Sequence, residues 1–286
     1  MTQRYVIAGC GYTGRRLGRR LSQDSEVLCV SRSSKHTRHL RAAGLTAITD
    51  DLGAPRNVAE TAGAVIIYLA PPPTSGDQDT TITAYLANIE HPSRFVYVST
   101  SGVYGDCAGE IVNEYRPAAP ATARAQRRLA AENALRLWGE QNDVETVVLR
   151  VAGIYGPDRL PVDRIRRREP VLRVEDAGPG NRIHVDDLVT ACELAATVVA
   201  PPTPINVCDG NHISSTQFIN LVAKICSLPE PPTIKLEDAR REFSPIRWSF
   251  LSESRRLDNT RMLDELGVEL RYSDPAEGIR ASLSVS

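Results

Sequence analysis

A glycine-rich run near the start of the chain has the residue types and the spacing of a turn that holds a phosphate. The run GCGYTG, at residues 9–14, follows a short apolar segment and precedes a segment with helical periodicity. At a turn from strand to helix, the missing side chains let a ligand approach the backbone, and the free N–H groups of the first helical turn attract its negative charge. The residues expected to hold the pyrophosphate of a dinucleotide are Gly9, Gly11, Tyr12, Thr13 and Gly14. The alternative is a tight turn that binds no ligand.

The segment after the second apolar run bears on which dinucleotide would bind. NAD-selective sites carry an acidic residue about 20 positions after the glycines, where it binds the ribose 2′-hydroxyl. Here the sequence VSRSSK, at residues 30–35, has no carboxylate. Arg32 and Lys35 instead offer cations to a 2′-phosphate, and Ser33 adds a hydroxyl donor. The segment therefore favours NADP(H) over NAD(H); the alternative is that both cations are solvated loop residues.

Short apolar runs alternate with amphipathic segments through the first half of the chain. Predicted strands fall at residues 5–8, 27–30, 45–48, 65–70, 95–98 and 144–149, and predicted helices at 12–22, 34–43, 78–90 and 122–141. Nearly continuous Val, Ile and Leu runs are typical of a parallel sheet buried on both faces. Alternation of strand and helix implies right-handed crossovers. We therefore expect an α/β fold: a doubly wound parallel-sheet Rossmann domain with a smaller substrate-side α/β appendage.

The pattern loosens after Gly156-Pro157, where several prolines and a basic run at residues 164–168 interrupt it. A helix near 186–199, a strand at 205–208 and a helix near 259–266 follow. The predicted division assigns residues 1–156 and 182–209 to the dinucleotide-binding domain, and residues 157–181 and 210–286 to a smaller substrate-binding region.

Composition places the chain among ordinary globular proteins. It has 286 residues, 42% of them hydrophobic, and 34 basic against 35 acidic side chains leave a net charge of −1. This balance argues against nucleic acid and anionic membranes as partners, because both normally require a basic face. Six cysteines are scattered without a Cys-x-x-Cys pair, so neither a metal site nor a disulfide framework is expected. No membrane span or secretory signal is recognisable, and the cytoplasm is the expected location.

Four later segments carry a resemblance to a known family. They read FVYVSTSGVYG at residues 95–105, LRVAGIYGP at 149–157, RIHVDDL at 182–188 and INVCDG at 205–210. In this order they resemble the fifth strand, the segment after the sixth strand and two later stretches of the extended short-chain dehydrogenase/reductases, also called the NAD-dependent epimerase/dehydratase family. The resemblance runs over nearly the whole chain and implies a dinucleotide-dependent oxidoreductase or epimerase.

The resemblance also implies positions around the cofactor. Asp51 and Leu52 would lie beside the adenine, and Thr100 would occupy the catalytic serine/threonine position while also contacting the cofactor. The other cofactor residues implied by the resemblance are Leu69, Ala70, Pro71 and Val151. The alternatives are an ordinary turn acid for Asp51 and a strand-end hydroxyl bonded to the backbone for Thr100.

The central Tyr-x-x-x-Lys pair of this family is missing. Aligned on Glu132, the tyrosine position is Arg124 and the lysine position is Arg128. A guanidinium stays charged at neutral pH and neither takes nor gives a proton there, so the usual acid/base step lacks its group. The first of the family's three spaced glycines is also replaced, by Ala8. Both departures resemble the atypical branch of the family, which keeps the fold and the cofactor turn without the pair.

Two roles are open for the arginines that replace the pair. Arg124, Arg128 and Glu132 are four residues apart and share one helix face. They form either a solvated row with an Arg128 to Glu132 pair, or a clamp in which the two arginines bind a phosphate or carboxylate of a substrate. Arg182 is a further candidate for a substrate anion. The basic residues at 164–168 are expected to form a solvated charged face.

The tyrosines that are candidates for the missing proton donor are Tyr104, Tyr115 and Tyr155. Tyr104 is the catalytic candidate beside Thr100 because it lies in the turn nearest to it, although a packing role also fits. His184 is expected to be a hydrogen-bonded structural histidine before a helix, with Asp186 or Asp187 as the helix cap.

Two functions fit these residues. The first is an NAD(P)-dependent oxidoreductase or epimerase-like enzyme that acts on a small anionic or sugar-nucleotide-like substrate through Thr100 and a substitute proton donor. The second is a catalytically silent NADP(H)-binding redox sensor or regulator, which the loss of the tyrosine and lysine favours. Family members often dimerise through the helices at residues 78–90 and 122–141, so a homodimer is a further expectation. The arginines on the second helix mean that this mode of association need not carry over.

Overall fold

The computed structural model describes residues 3–284 and has a central parallel sheet between two layers of helices. Its strands, in chain order, are β1 (Arg4–Ala8), β2 (Glu26–Ser31), β3 (Ala47–Thr49), β4 (Val65–Tyr68), β5 (Arg94–Thr100), β6 (Ile111–Val112), β7 (Glu145–Val151), β8 (Gly153–Tyr155), β9 (Val171–Leu172), β10 (Arg182–His184), β11 (Ile205–Val207), β12 (Thr233–Ile234) and β13 (Arg256–Leu257). Within the described residues, seven strands form the central sheet in the order β3-β2-β1-β4-β5-β7-β11, and neighbouring strands are parallel throughout. The predicted doubly wound parallel sheet is confirmed.

The helices cover both faces of this sheet. They are α1 (Tyr12–Leu21), α2 (Ser34–Ala42), α3 (Thr80–Asn88), α4 (Ala123–Asn142), α5 (Val162–Arg166), α6 (Val185–Thr197), α7 (Ser215–Ile225), α8 (Leu236–Glu242), α9 (Pro245–Leu251), α10 (Thr260–Asp264) and α11 (Pro275–Ser284), with short 3-10 turns at Val58–Thr61, Ser101–Tyr104 and Val174–Asp176. Helices α1, α2 and α6 contribute to the core on one face, and α3 and α4 to the core on the other.

The alternation of side chains along each strand places residues of the same strand in the apolar cores on both faces of the sheet. Successive side chains of a strand point to opposite faces, so Ile7 of β1 packs under α1 and α6 while Val6 packs under α3 and α4. The second core is rich in aromatic rings, among them Tyr68 and Phe95, whose ring centroids lie 5.9 Å apart. Because the strands are buried on both faces, their C-terminal ends are held firmly where the loops begin.

The part of the chain beyond the sheet is built from short elements. Three parallel pairs of two or three residues, β10 with β8, β12 with β9 and β13 with β6, form two-stranded sheets separate from the central one. A separate apolar cluster gathers α5, α7 and α11 around Phe218 and Ile279. Met262 and Leu266, in contrast, pack in the core of the sheet. The division into two domains stays a prediction. The packing of Met262 and Leu266 places the segment around α10 against the sheet, although the prediction assigned it to the smaller region.

Candidate functional site

The glycine turn joins β1 to α1 and shows three different uses of glycine. Gly9 has φ +83°, and a Cβ there would lie 2.6 Å from the Ala70 nitrogen, so a side chain is excluded. Gly14 lets α1 pack on β1, since its Cβ would lie 3.1 Å from the Ile7 Cγ2. At Gly11 the nearest atom to a Cβ would be the Gly9 oxygen, 3.9 Å away. The protein therefore does not itself require glycine at residue 11, and the open space is available to a ligand.

The N-terminus of α1 is open as well. Gly11 precedes the helix, and no side chain among residues 3–284 caps it. Other long helices have side-chain caps, such as Asp79 for α3, Thr122 for α4 and Ser214 for α7. The first N–H groups of a helix need partners and attract anions. The turn thus combines close backbone access with unused donors, as a pyrophosphate site requires.

Two cavities adjoin this turn. The turn cavity, of about 460 Å³, lies over the start of α1, and the β2 cavity, of about 450 Å³, lies at the end of β2 and the loops after β3 and β4. Predicted cofactor residues that line the turn cavity are Gly9, Gly11, Tyr12, Thr13, Gly14, Leu69, Pro71, Thr100 and Val151. Those that line the β2 cavity are Gly9, Arg32, Asp51, Leu52, Ala70 and Pro71. The structure therefore brings the predicted cofactor residues together, apart from Ser33.

The residues after β2 divide into one that faces the β2 cavity and two that do not. Arg32 lines the cavity and is exposed, without a hydrogen bond or ion pair to any described residue. Ser33 caps α2, where its hydroxyl accepts from the His36 N–H at 3.2 Å. Lys35 is exposed outside the cavity lining. Ser33 lies outside the cavity lining, so its position does not support the predicted role of its hydroxyl as a phosphate donor.

A third cavity, the arginine-lined chamber, continues from the turn cavity. It has a volume of about 430 Å³, and its charged lining residues are Arg124, Arg159, Arg182, Glu253 and Arg255. Thr100, Val151 and Arg159 line both this chamber and the turn cavity. The junction lies at the C-terminal ends of β5 and β7, the edge at which open α/β sheets bind their ligands.

Thr100 stands at this junction in a fixed position. It ends β5, and its Oγ1 accepts from the Gly102 N–H at 3.2 Å, which caps the short turn Ser101–Tyr104. The strand-end hydroxyl bonded to the backbone is therefore what the structure shows. The hydroxyl hydrogen still points to no described acceptor, so the capped geometry leaves one donor for a ligand.

Tyr104 does not face the chamber. Its side chain is 1% exposed, and its hydroxyl donates to the Asn206 Oδ1 at 2.8 Å. Burial raises the pKa of Tyr104. The catalytic role predicted for Tyr104 is therefore withdrawn, because the hydroxyl is engaged away from the cavities and the packing alternative describes it better.

The other two tyrosines are no better placed as proton donors. Tyr115 is exposed and lies outside the lining of the chamber. Tyr155 lines the chamber, but its hydroxyl is buried without a described partner beside Gly278 of α11. Burial also raises the pKa of Tyr155 well above its ordinary value. The chamber thus receives no tyrosine hydroxyl from these candidates.

Arg128 turns away from the partner that helical spacing suggested. One of its guanidinium nitrogens donates to the Ala70 oxygen at 3.3 Å, the Tyr97 hydroxyl at 3.0 Å and the Val98 oxygen at 3.0 Å. The predicted Arg128 to Glu132 pair is wrong. Arg128 lines the turn cavity rather than the arginine-lined chamber, so its predicted place among the substrate residues is not supported by its position.

Glu132 has a different arginine as its partner. Arg150 of β7 donates to the Glu132 carboxylate at 2.8 and 3.2 Å, and the Ser99 hydroxyl donates at 2.5 Å. Both side chains of the ion pair are less than a tenth exposed. This buried pair ties α4 to the ends of two central strands, so removing either partner would leave an uncompensated buried charge.

Arg124 and Arg182 both line the chamber. The anion-clamp alternative paired Arg124 with Arg128, which lines the turn cavity instead, so the clamp is not formed by the two residues predicted for it. The Arg124 Cζ lies 4.1 Å from the centre of the Phe250 ring in α9. Arg182 donates to the Ile213 oxygen at 2.7 Å and lies over the Phe218 ring. Burial lowers the pKa of Arg182 to about 10. Burying this cation is costly, and an anionic ligand beside it would offset part of that cost.

A second buried group lies close to Arg182. Asp209 is 4% exposed, and its Oδ2 has no described hydrogen-bond partner, while its Oδ1 accepts from the Asn211 N–H at 2.9 Å. Burial raises the pKa of Asp209 to about 7. The electrostatic field of Arg182 opposes this change without cancelling it.

His184 has a structural role, and it caps the helix itself. Its Nδ1 accepts from the Asp186 N–H at 3.2 Å at the start of α6, and its other ring nitrogen meets the Ser282 hydroxyl. Burial lowers the pKa of His184. The expected Asp186 or Asp187 cap is therefore wrong: Asp187 instead accepts two backbone N–H groups, from Arg271 and Tyr272.

The basic run at residues 164–168 forms the solvated face expected of it. Arg164 and Arg167 both pair with Glu169, and Arg166 pairs with Asp163. Exposed pairs of this kind contribute little to stability. None of these residues lines the arginine-lined chamber.

Three charged chamber residues were missed in the sequence. Arg159 lies at the junction of the two cavities, with its Cζ 3.9 Å from the centre of the Tyr12 ring. Its only signal in the sequence is its position two residues after the Gly156-Pro157 segment. Glu253 and Arg255 come from a segment without a motif, and nothing in the sequence connects them to Thr100.

Two findings concern other ligands and membranes. Among residues 3–284, no group of three or more His, Cys, Asp or Glu side chains is arranged to hold a metal ion. In the same described part of the chain, no helix is long and apolar enough to cross a membrane.

Comparisons with known proteins identify the family and the fold. The profile of the NAD dependent epimerase/dehydratase family matches residues 5–208, and the chain belongs to this family. Protein YeeZ of Escherichia coli K12 is 28% identical over 186 residues, which span 64% of this chain and 60% of that protein.

Solved structures show the same fold over the whole chain. A functionally unknown conserved protein from Silicibacter pomeroyi is 28% identical with a TM-score of 0.84, covering 100% of this chain and 99% of the other. UDP-glucuronic acid 4-epimerase from Bacillus cereus, in complex with NAD, is 16% identical with a TM-score of 0.80, covering 99% and 98%. The second likeness concerns the fold alone.

Proposed function

We propose that this protein binds a nicotinamide dinucleotide across the β2 and turn cavities and acts as an oxidoreductase or epimerase-like enzyme on a small anionic or sugar-nucleotide-like substrate. The observation that carries the proposal is the meeting of the turn cavity and the arginine-lined chamber at Thr100. A dinucleotide in the first and a substrate in the second would have their reacting ends side by side, which is the proximity that group transfer needs.

The residues present fit the dinucleotide. Gly11 leaves space that no described atom fills, and α1 begins without a side-chain cap. Solved family relatives such as the Bacillus cereus epimerase contain NAD. When bound, the nicotinamide would supply hydride chemistry, while this chain's own residues bind the pyrophosphate, orient the substrate and donate a hydrogen bond from Thr100.

Preference for NADP(H) over NAD(H) is a finer part of the proposal. Arg32 is exposed at the β2 cavity and has no described partner. A planar guanidinium in this position suits a 2′-phosphate, which offers two oxygens to its parallel N–H groups. Asp51 lines the same cavity and remains the candidate for the adenine side.

The chamber supports an anionic substrate. Arg124 and Arg182 lie in its lining together with Arg159 and Arg255, and four guanidinium groups around one cavity create a field that favours negative charge. Family relatives of this fold include structures with sugar nucleotides, such as UDP-glucuronic acid. We extend this substrate class to the chain as part of the proposal.

A second function is favoured by one specific observation. Arg124 and Arg128 replace the family's proton-exchanging pair, and Tyr104 and Tyr155 keep their hydroxyls away from the chamber. A protein with a bound dinucleotide and no proton donor would be a redox sensor that changes its contacts with cofactor occupancy. Association of two copies through α3 and α4 also stays a prediction.

Isotope transfer and epimer formation separate the two functions. The full chain is incubated with NADPH deuterated at the transferable position and a panel of ketones and aldehydes, and separately with NADP+ or NAD+ and a panel of sugar nucleotides. Mass spectrometry detects deuterium in the first set of products, and chromatography detects epimers in the second. We expect product in at least one reaction, and about 100-fold slower turnover in Thr100→Val, because the variant loses a hydrogen bond to the reacting oxygen.

Thr197→Val is the matched control, since Thr197 is exposed at the end of α6, outside the cavities. Its turnover should equal that of wild type. A complete blank over both panels, with the dinucleotide bound, would reject the enzyme and leave the sensor.

A further inference from the structure

One carboxylate lines the arginine-lined chamber in the described part of the chain, and the proposed function leaves it unused. It is Glu253, whose side chain is 10% exposed. Its Oε2 accepts from the Arg255 Nη1 at 2.9 Å, whereas its Oε1 is buried and has no hydrogen-bond partner among residues 3–284. A buried carboxylate oxygen without a donor is costly, so this atom needs an explanation.

An ion pair formed for stability alone does not explain it. Arginine and carboxylate usually pair through two parallel hydrogen bonds. Here only one guanidinium nitrogen of Arg255 reaches Glu253, and the Arg255 Nε is also without a described partner. The Arg255 Nη1 that binds Glu253 also donates to the Gly105 oxygen at 2.5 Å. One carboxylate oxygen of a chamber residue is thus left without a donor from the described part of the chain.

The segment that carries Glu253 is held rigidly. The Ser254 N–H donates to the Asp106 Oδ1 at 2.8 Å, and the Ser254 oxygen accepts from the Cys107 N–H at 2.9 Å. Strand β13 follows at once and pairs with β6. These contacts join the segment to the loop that begins at the end of the Thr100–Gly105 turn. The backbone that carries Glu253 is therefore fixed relative to the proposed reaction centre before any ligand arrives, which lowers the entropic cost of binding.

We propose that the Glu253 Oε1 accepts a hydrogen bond from a hydroxyl group of the substrate, while the chamber arginines hold the anionic group of the same molecule. This inference rests on the proposed function of the chamber and adds a specificity residue to it. The substrate class is a hydroxylated anion, such as a sugar phosphate. An anion of the same size without hydroxyl groups would leave the Oε1 unpaired and bind less tightly.

The test compares two phosphates of similar size. Glucose 1-phosphate carries hydroxyl groups and cyclohexyl phosphate does not, and both are titrated by calorimetry into the full chain saturated with NADPH. The measured quantity is the ratio of their dissociation constants, because removing a negative charge from the chamber affects both phosphates. Wild type should favour glucose 1-phosphate, and Glu253→Gln should reduce this preference by about 3- to 10-fold, because the amide oxygen of glutamine is a neutral and therefore weaker acceptor than the carboxylate.

Glu269→Gln is the control, since it removes the same charge from an exposed residue outside the chamber. It should keep the wild-type ratio. An unchanged ratio in Glu253→Gln overturns the inference and leaves the proposed function intact. If neither phosphate binds to wild type, the chamber is no site for such anions and both proposals fall.

Loss of the pair with Arg255 can unfold the glutamine variant, which a thermal melt will show. In that case Glu253→Asp is used, since it keeps the charge and withdraws the oxygen by one methylene. A reduced preference for glucose 1-phosphate supports the inference, and a wild-type ratio overturns it.

Discussion

Gly11 allows a test in which cofactor binding and stability respond differently to one methyl group. The residue has φ −103°, and an alanine Cβ would lie 3.9 Å from its nearest neighbour, the Gly9 oxygen. Gly11 is also the N-cap residue of α1, where alanine is less favourable than glycine, so we expect Gly11→Ala to lower the free energy of unfolding by only about 1 kcal/mol. The same methyl group occupies space at the open N-terminus of α1, where the pyrophosphate would approach.

The effect on binding follows from the hydrogen bonds that the methyl group would prevent. A charge-assisted hydrogen bond contributes about 1.5–3 kcal/mol, so displacing the phosphate from one backbone N–H should weaken NADPH binding about 10- to 100-fold. Calorimetric titration with NADPH measures the dissociation constant, and a thermal melt measures stability on the same sample.

Gly9→Ala provides the contrast. Its φ of +83° and the 2.6 Å approach to the Ala70 nitrogen should destabilise the fold by about 1–3 kcal/mol as well as impair binding. If Gly11→Ala binds NADPH as tightly as wild type while remaining folded, the pyrophosphate does not lie at this turn, and the placement of the cofactor is refuted.

Two further predictions concern charge. Arg32→Asp should weaken NADPH binding by about 10- to 100-fold and leave NADH binding no weaker, because a carboxylate repels the 2′-phosphate. The control is Arg38→Asp, an exposed change on α2 outside the β2 cavity, which should keep the preference for NADPH. An unaltered preference in both variants would remove Arg32 from the site. Asp209→Asn should stabilise the protein at pH 8 by up to about 4 kcal/mol, because burial raises the pKa of Asp209 to about 7 and the folded wild type is penalised once the carboxyl ionises. The stability of wild type relative to this variant should fall between about pH 4 and pH 7, where the unfolded chain alone has released the proton, and urea unfolding curves over this range that run parallel for the two proteins would contradict the assignment.

The elements that the sequence predicted well are those with a clear local pattern of apolar residues or glycines. Strands β1, β4 and β5 are continuous apolar runs because both their faces are buried, and the turn at residues 9–14 follows directly from glycine chemistry. The pairs β9 with β12 and β6 with β13 could not be predicted in this way, since strands of two residues carry no period.

The candidate site was predictable only where its residues belong to local motifs. Arg128 and Glu132 have ideal helical spacing for a pair, yet contacts with the sheet determine both partners: Arg150 reaches Glu132 with two hydrogen bonds. Glu253 enters the chamber because the backbone at Ser254 binds a distant loop. Such tertiary contacts leave no signal in the residues next to them along the chain.

The hydrogen bonds of Arg128 have a consequence for protein engineering. By joining the Ala70 and Val98 oxygens, this guanidinium links the loop after β4 to the end of β5. By the sequence resemblance, Arg128 would stand at the lysine position of the family's tyrosine and lysine pair. A lysine grafted there would bring one ammonium in place of a planar fork, and its donors spread differently in space. Restoring the family's usual chemistry would therefore require redesigning the edge of the sheet together with the helix.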